Sequence, residues 1–396
     1  MLGSEASRCY VKPWQCSHDA PMCGIGRHSQ RGSGKSRYPG AGGGRRMPTM
    51  SCSTATPTMM EHQSDSSDRD RRIEMTTRAR PPFDVELEAA LDAAPAFFTT
   101  LQPDSIAEFR AATARSSSSL DEVIAGRPVQ VTDHPVTGHG GGEIVVTVLR
   151  RSGHEGAAGP GVYLIHGGGM VGGSRWAVAP MLVEWALEYG AVAAAVDYRL
   201  APEFPDPVPV EDCYAGLEWF VGHADVFGFD PRRVLIGGQS SGGGLGIGTT
   251  LLARDRGRPL PAAMLLMWPM LDDRNETVSA QQIDGVGIWD RTSNETGWTA
   301  LLGDRRGTAD VSIYAAPARA TDLAGLPPAY IEAGSVEVFR DEAVALAGRI
   351  WEAGGSAELH IWAGGFHGFQ TIVPKAAVSR TAVQARESWV SRVLAP

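Results

Sequence analysis

The feature that most constrains this chain is the pentapeptide Gly-Gln-Ser-Ser-Gly at residues 238–242. It follows the apolar residues 234–236 and opens a Gly-rich, helix-like segment that runs to about residue 254. A Gly-x-Ser-x-Gly between a strand and a helix makes a turn so sharp that only residues without bulk fit beside the serine. The central serine is Ser240, because centring Ser241 would put Gln239 where the first glycine is required.

A serine placed this way needs partners before it can react. Its hydroxyl is a weak nucleophile at neutral pH and requires a base, an acid that orients the base, and donors for an oxyanion. With this turn, the partners follow in the order serine, acid, histidine. Only His360 and His367 follow Ser240. His360 lies inside the strand-like run 357–362, whereas His367 lies in the loop after it, where such sheets bind ligands, so His367 is the predicted base.

The acid is expected after the strand-like run 329–333. Glu337 lies closer to the end of that run, in the loop. Asp341 has the position of an N-cap of the following helix, where short acidic side chains are favoured. Position therefore favours Glu337, and Asp341 is the alternative.

The tetrapeptide His-Gly-Gly-Gly occurs twice, at residues 139–142 and 166–169. The second copy follows the strand-like run 161–165, and consecutive glycines after a strand let backbone N–H groups converge on one point. The first copy lies between two short strand-like runs and is typical of a plain hairpin turn. Position therefore selects residues 166–169 as the loop that forms an oxyanion hole together with the N–H of Ser241.

Charge divides the chain near residue 80. Residues 1–80 hold 13 Lys and Arg against 7 Asp and Glu, and residues 81–396 hold 23 against 38. The first part is rich in Gly, Ser, Arg, Pro and Met without apolar periodicity, which predicts disorder or an over-extended N-terminus with the native start near Met59, Met60 or Met75. The excess of acidic residues in 81–396 argues against nucleic acid as a partner, because phosphate binding needs a basic face.

The number and positions of the cysteines indicate the cellular compartment. Four of the five cysteines precede residue 80 and lack the paired spacing of a zinc site. Residues 81–396 contain one cysteine, Cys213, in a helix-like segment, and we expect it to be a small buried apolar residue. Because one cysteine cannot form a disulfide within these residues, the sequence fits a reducing compartment and predicts a cytoplasmic protein. The longest apolar runs reach about ten residues, too short to span a membrane.

Strand-like and helical runs alternate through residues 81–396. The predicted strands are 129–133, 143–150, 161–165, 191–196, 234–237, 263–268, 329–333 and 357–362, and the predicted helices are 85–94, 104–115, 177–188, 210–223, 241–254, 341–353 and 376–394. We expect a turn between the first two strands and helices between the others. This pattern predicts an α/β fold with a mostly parallel eight-stranded sheet covered on both faces. Residues 272–315 lack a strand pattern and are predicted to be an insertion packed over the site.

Four motifs carry a family resemblance. They are His166-Gly-Gly-Gly169, Tyr198-Arg-Leu-Ala-Pro-Glu203, the turn around Ser240, and Phe366-His-Gly-Phe369. On these residues the chain, over 81–396, resembles the hormone-sensitive-lipase-like family of α/β-hydrolases, which includes many bacterial carboxylesterases.

The resemblance implies roles for individual residues. Ser240 would be the nucleophile and His367 the base, and the N–H groups of Gly168, Gly169 and Ser241 would form the oxyanion hole. It further implies an N-terminal helical cap over the pocket, at residues 81–125. The block 198–203 and Asp212 would be structural supports.

The sequence departs from the family pattern at two places near the site. The family acid is usually an Asp before Pro-Leu, whereas the aligned tripeptide here is Glu337-Val338-Phe339. Glutamate is one methylene longer, so Asp341 stays the alternative. The turn reads Gln-Ser-Ser where Asp-Ser-Ala is commoner, which adds a hydroxyl beside the nucleophile.

Together these features predict a serine carboxylesterase that hydrolyses short- to medium-chain esters through an acyl-enzyme. No metal or organic cofactor is expected, the partner is a small-molecule ester, and family members often form homodimers through the sheet edge. One alternative is a ligand-binding, receptor-like member of the fold, in which the histidine is lost. Another is a hydrolase of amides or lactones. The Trp and Met residues within 264–298 are expected mainly in the core, with some of them lining the acyl site.

Overall fold

The computed structural model describes residues 79–93, 100–116, 119–154 and 158–395. The predictions of an N-terminal extension and of its start lie outside the described residues, apart from residues 79 and 80. The assignment of residues 81–125 as a cap and of 272–315 as an insertion stays a prediction.

One sheet organises the described residues. Its strands are β1 (Val129–Thr137), β2 (Glu143–Arg151), β3 (Gly159–Ile165), β4 (Val192–Asp197), β5 (Phe229–Gln239), β6 (Ala263–Met267), β7 (Ala329–Gly334) and β8 (Ala357–Trp362). Their order across the sheet is β1-β2-β4-β3-β5-β6-β7-β8. The β1–β2 and β2–β4 pairs are antiparallel and the others are parallel. The predicted mostly parallel eight-stranded sheet is confirmed.

The helices of the described residues include all seven that were predicted, with five more that were not given bounds. They are α1 (Val85–Ala93), α2 (Ile106–Ser116), α3 (Leu120–Ile124), α4 (Ala179–Glu188), α5 (Val208–Gly222), α6 (Ala224–Phe227), α7 (Ser241–Asp255), α8 (Val278–Gln282), α9 (Arg291–Leu302), α10 (Arg340–Glu352), α11 (Phe369–Ile372) and α12 (Ala377–Leu394). Among them, none has both the length and the apolar character needed to cross a membrane.

Two apolar cores form because the central strands are buried on both faces. In β3, Tyr163 and Ile165 pack into the core that includes side chains of α5, α7 and α10. The alternate residues Val162 and Leu164 pack into the core on the other face, with α4 and α12. Side chains of a strand point alternately to opposite faces, so a continuous apolar run is what a doubly covered strand requires. Cys213 lies in the first of these cores and is fully buried, as predicted.

One predicted connection is wrong. The described residues between β2 and β3, which are 152–154 and 158, form no helix. Both strands flank β4, β2 antiparallel to it and β3 parallel to it, so β3 starts at the end of the sheet where β2 finishes. Antiparallel neighbours need no long return crossover, and a short loop past β4 is enough.

Candidate active site

Ser240 lies at the turn between β5 and α7, in a backbone conformation that few residues other than glycine adopt. Its φ is +56° and its ψ is −122°, and a Cβ built on Gly242 would lie 2.1 Å from the carbonyl oxygen of Ile165. Such strain costs about 1–3 kcal/mol and persists only where the surroundings hold it. Here the Ser240 N–H donates to the carbonyl of Met267 (2.9 Å), and the Met270 N–H donates to the carbonyl of Ser240 (3.0 Å). The end of β6 therefore holds the serine in place.

A hydrogen-bonded chain links Ser240, His367 and Glu337. The Ser240 Oγ lies 3.0 Å from Nε2 of His367, and Nδ1 of His367 lies 3.2 Å from Oε1 of Glu337. The other Glu337 oxygen accepts the Gly334 N–H at 2.6 Å. A carboxylate accepts the proton of Nδ1, which leaves Nε2 free to accept the serine proton. All three side chains are nearly enclosed, with Ser240 6 %, Glu337 1 % and His367 9 % exposed.

The loops after β7 and β8 meet because small residues let their backbones approach. The Ser335 N–H donates to the carbonyl of Trp362 (2.8 Å), and the Val336 N–H donates to the carbonyl of Gly365 (2.9 Å). A Cβ on Gly334 would lie 2.0 Å from the Gly365 oxygen, so the contact requires glycine there. These bonds bring the loop that carries Glu337 next to the loop that carries His367.

Asp341, the alternative acid, lies elsewhere. Its carboxylate accepts the N–H of Ser279 (2.7 Å) and the Nε–H of Arg340 (2.7 Å). Burial raises the pKa of Asp341, but the hydrogen bonds from Arg340 and Ser279 outweigh that effect and leave the pKa below its ordinary value. The prediction that Asp341 is an N-cap is wrong, since Phe339 is the N-cap of α10 and makes no side-chain capping bond. Asp341 instead ties α10 to the start of α8.

The second His-Gly-Gly-Gly loop lies beside Ser240. A Cβ on Gly167 would be 3.1 Å from Cβ of Ser240. Gly168 and Gly169 have φ of +115° and +63°, and the loop closes on itself through bonds to the Gly168 carbonyl. Within the described residues, the N–H groups of Gly168, Gly169 and Ser241 donate to no protein acceptor. Backbone N–H groups that are at least half-buried, lie in the loop and turn next to Ser240 and have no protein acceptor suit a bound oxyanion.

His166, the first residue of this loop, is buried and connects the loop to Tyr198. The imidazole is 1 % exposed, its Nδ1 lies 2.8 Å from the Gly167 oxygen, and it stacks on Tyr198 at 4.4 Å. The Tyr198 hydroxyl donates back to the His166 carbonyl at 3.2 Å. Burial is the main cause that lowers the pKa of His166, so the ring is held neutral. This is the supporting role that the resemblance implied for the block 198–203.

The first His-Gly-Gly-Gly forms the turn between β1 and β2, as predicted. Its backbone is anchored, however, so it is not a plain turn. Buried Asp212 accepts the His139 N–H (2.8 Å), and Arg199 donates both to Asp212 (2.8 and 2.7 Å) and to the His139 carbonyl (2.6 Å). Arg199 and Asp212 therefore fasten this hairpin to α5.

One arginine fastens helix α2 to the chain just after the second His-Gly-Gly-Gly loop and to the block 198–203. Arg110 donates to the carbonyls of Val171 (2.6 Å) and Ala201 (2.7 Å) and pairs with Glu203 (2.6 Å). The hydrogen bond from Arg110 lowers the pKa of Glu203 to about 2. The sequence did not single out Arg110, and an arginine on a predicted helix is by itself no signal of such a contact.

The segment around α9 is tied to the chain just before α2. Thr100 Oγ1 donates to Asp290 (2.6 Å), the Leu101 N–H donates to Ser293 Oγ (2.9 Å), and Thr296 Oγ1 donates to the Leu101 carbonyl (3.0 Å). Two parts of the chain that are far apart in sequence thus form one continuous layer.

A second buried carboxyl, Glu342, lies near Glu337, and the sequence did not single it out. It is 6 % exposed, and its Oε1 has no partner in the described structure. Burial raises its pKa well above the ordinary range, as do the negative charges of Asp272 and Glu337. The available signal was an acid on the apolar face of a predicted helix. In the same described residues, no group of three or more His, Cys, Asp or Glu side chains could hold a metal ion.

Comparison with known proteins agrees with this geometry. A family model described as alpha/beta hydrolase fold matches residues 162–371. Carboxylic ester hydrolase LipN of Mycobacterium tuberculosis is 34 % identical over 283 residues, which is 67 % of this chain and 72 % of LipN. Mouse hormone-sensitive lipase is 37 % identical over 106 residues, 27 % of this chain and 14 % of the lipase. The solved structure titled Bacterial Heroin Esterase superposes with a TM-score of 0.72 at 37 % identity, covering 79 % of this chain and 98 % of the other.

Proposed function

The chain belongs to the α/β-hydrolase family, in the hormone-sensitive-lipase-like group that the sequence predicted, and from that premise we propose that it is a serine carboxylesterase. The observation that carries the proposal is the hydrogen-bonded chain from Ser240 Oγ through His367 to Glu337. A receptor-like member of the fold would have lost the histidine. Here the histidine is present and within hydrogen-bond distance of both partners, which favours catalysis.

The first half-reaction acylates the serine. Nε2 of His367 takes the proton of Ser240 as Oγ attacks the ester carbonyl. The N–H groups of Gly168, Gly169 and Ser241 donate to the oxyanion that forms. Glu337 holds Nδ1 and stabilises the imidazolium. His367 then gives its proton to the leaving alcohol, and the acyl group stays on Ser240.

The second half-reaction releases the acid. A water gives its proton to Nε2 of His367 and attacks the acyl carbonyl, and the same N–H groups hold the second oxyanion. Collapse returns the proton to Ser240 and frees the carboxylic acid. The enclosed position of the three side chains excludes bulk water, which strengthens these electrostatic interactions.

Substituting the nucleophile tests the proposal. Ser240→Ala is expected to lower kcat for p-nitrophenyl butyrate by at least ~10³-fold, because no other group supplies the attacking oxygen. Ser241→Ala is the matched control, since it removes the neighbouring hydroxyl, which interacts with Tyr198, and keeps the backbone N–H. The control should stay within about tenfold of wild type. Full activity in Ser240→Ala would reject the assignment.

A second pair of variants tests the acid. Glu337→Ala is expected to cost more kcat than Asp341→Ala, because only Glu337 contacts His367. The reverse order would make Asp341 the acid.

Three further features of the structure bear on acyl length, assembly and location. Short- to medium-chain esters are favoured by the closed surroundings of Ser240, which is 6 % exposed. A homodimer through the sheet edge is supported by β8, every residue of which is half-buried, and by the half-exposed Trp351 on the neighbouring α10. A cytoplasmic location is supported by Cys213, the one cysteine in residues 81–396, which is free.

A further inference from the structure

Trp289 packs directly against Gly169, in the second His-Gly-Gly-Gly loop. A Cβ built on Gly169 would lie 2.4 Å from Cη2 and 2.7 Å from Cζ2 of Trp289. The six-membered ring therefore covers the Cα of the residue whose N–H is proposed to bind the oxyanion. An ester whose carbonyl oxygen reaches that N–H therefore binds at the residue that this indole covers.

The position of Trp289 is held from three sides. Phe109 of α2 packs on it with ring centroids 6.1 Å apart, and the indole N–H points to Asn294 of α9 at 3.4 Å. Gly297, also on α9, lies against both the ring and the Gly169 carbonyl, where a Cβ would be 3.4 Å and 3.0 Å away. An indole held this way is a rigid wall rather than a mobile lid.

The histidine indicates which part of the ester meets that wall. His367 protonates the leaving oxygen in the proposed reaction, so the alcohol part lies on the histidine side of the carbonyl carbon. The rings next to His367 are Trp268 and Phe339, with centroids 6.2 and 5.1 Å away. Among the described ring contacts, Trp289 pairs with Phe109 and not with His367. The acyl part, directed away from the histidine, is therefore the part next to Trp289.

We propose that Trp289 is a specificity-determining residue: its indole limits the length of the acyl chain that fits beside Gly169. This inference rests on the proposed esterase function and deepens it. It also separates Trp289 from the other Trp and Met residues of 264–298, all of which are buried and were expected mainly in the core.

The test compares acyl preference in the full-length chain. For wild type, Trp289→Ala and Trp289→Phe, kcat/KM is measured with p-nitrophenyl acetate, butyrate, octanoate and decanoate. We expect the decanoate-to-acetate ratio of kcat/KM to rise at least about tenfold in Trp289→Ala and less in Trp289→Phe, which keeps a shorter ring in place. Trp351→Ala, which removes a half-exposed tryptophan from α10, is the matched control and should leave the ratio unchanged.

Two outcomes overturn the inference. If all four esters lose activity by the same factor, Trp289 only supports Gly169. If the ratio is constant while a series of butyrate esters with methyl, phenyl and naphthyl alcohols changes its order, the indole contacts the alcohol part. Thermal unfolding of each variant ensures that the rates refer to folded protein, and Trp289→Phe keeps the test available if Trp289→Ala does not fold. A wild-type protein that hydrolyses none of these esters would instead reject the proposed function.

Discussion

The two copies of His-Gly-Gly-Gly have the same sequence and opposite surroundings. Residues 139–142 join two antiparallel strands at the edge of the sheet, and a Cβ on Gly140 or Gly141 would meet no atom within 4 Å. Residues 166–169 follow a central parallel strand, and a Cβ on Gly168 or Gly169 would overlap backbone or indole atoms. Gly140 and Gly141 of the first copy are required only by their left-handed backbone. Gly168 and Gly169 of the second copy also have left-handed backbone, but in addition other atoms occupy the space that a side chain would need.

The histidines of the two copies differ in the same way. The side chain of His139 is exposed and only its backbone is bonded, whereas His166 is buried and stacked on Tyr198. The tetrapeptide alone therefore does not distinguish the two loops. Their positions in the fold do, because only the second copy follows a central strand and lies next to the turn that carries Ser240.

Replacing one glycine of each copy with alanine is expected to give the largest difference in activity between the two loops. Gly169→Ala should lower kcat/KM by about 10²–10³-fold, because the methyl group and Trp289 cannot share the space and the N–H must move off the oxyanion. Gly141→Ala should leave kcat/KM unchanged and cost about 1 kcal/mol of stability, since its φ is +81°. Steady-state hydrolysis of p-nitrophenyl butyrate and urea unfolding measure both. Equal losses of activity would mean that the two loops do not differ as described.

Breaking the anchor of the first copy is expected to affect stability and not chemistry. Asp212→Asn removes the negative charge of a fully buried carboxylate that pairs with Arg199. We expect a loss of about 2–3 kcal/mol in the free energy of unfolding, because Arg199 loses its ionic partner. The kcat of the folded variant should stay within about threefold of wild type. A large loss of kcat with unchanged stability would place Asp212 in the catalytic machinery.

The smallest expected difference is in the pH dependence of stability. Burial lowers the pKa of His166 in the folded protein, so below the ordinary value of about 6.5 the unfolded chain binds a proton that the folded chain does not. Stability therefore falls as the pH drops from about 7 toward the folded pKa, by at most about 1.4 kcal/mol per pH unit. His166→Asn should flatten this slope between pH 7 and 5, and His139→Ala should not. Identical slopes in all three proteins would show that His166 is not held neutral.

Local patterns indicated which residues meet at one end of the sheet. Ser240 and His367 each follow a recognisable strand, and the carboxyl ends of parallel strands meet at one edge. Distance from the end of β7 favoured Glu337 over Asp341, and in the structure Glu337 contacts His367 whereas Asp341 contacts Ser279 and Arg340. Conversely, the prediction of a helix between β2 and β3 was wrong, because the antiparallel pairing of β2 with β4 cannot be recognised from the sequence of either strand alone.

The individual contacts between the chain near α2 and the segment around α9 could not be predicted, because they join residues nearly 200 positions apart. Thr100 and Asp290, or Phe109 and Trp289, have no sequence pattern in common. Arg110 binds carbonyl oxygens, which any residue supplies. Glu342 was hidden for another reason: a carboxyl on the apolar side of α10 resembles an ordinary helical acid until burial is known.

The most direct test of the central claim is covalent labelling of the nucleophile. The full-length chain is treated with diethyl p-nitrophenyl phosphate, and peptide mass spectrometry locates the phosphoryl group. We predict one adduct per chain, on Ser240, with loss of ester hydrolysis in proportion to labelling and much slower labelling in His367→Ala. An adduct on another residue, or a chain that hydrolyses esters and stays unlabelled, would contradict the account.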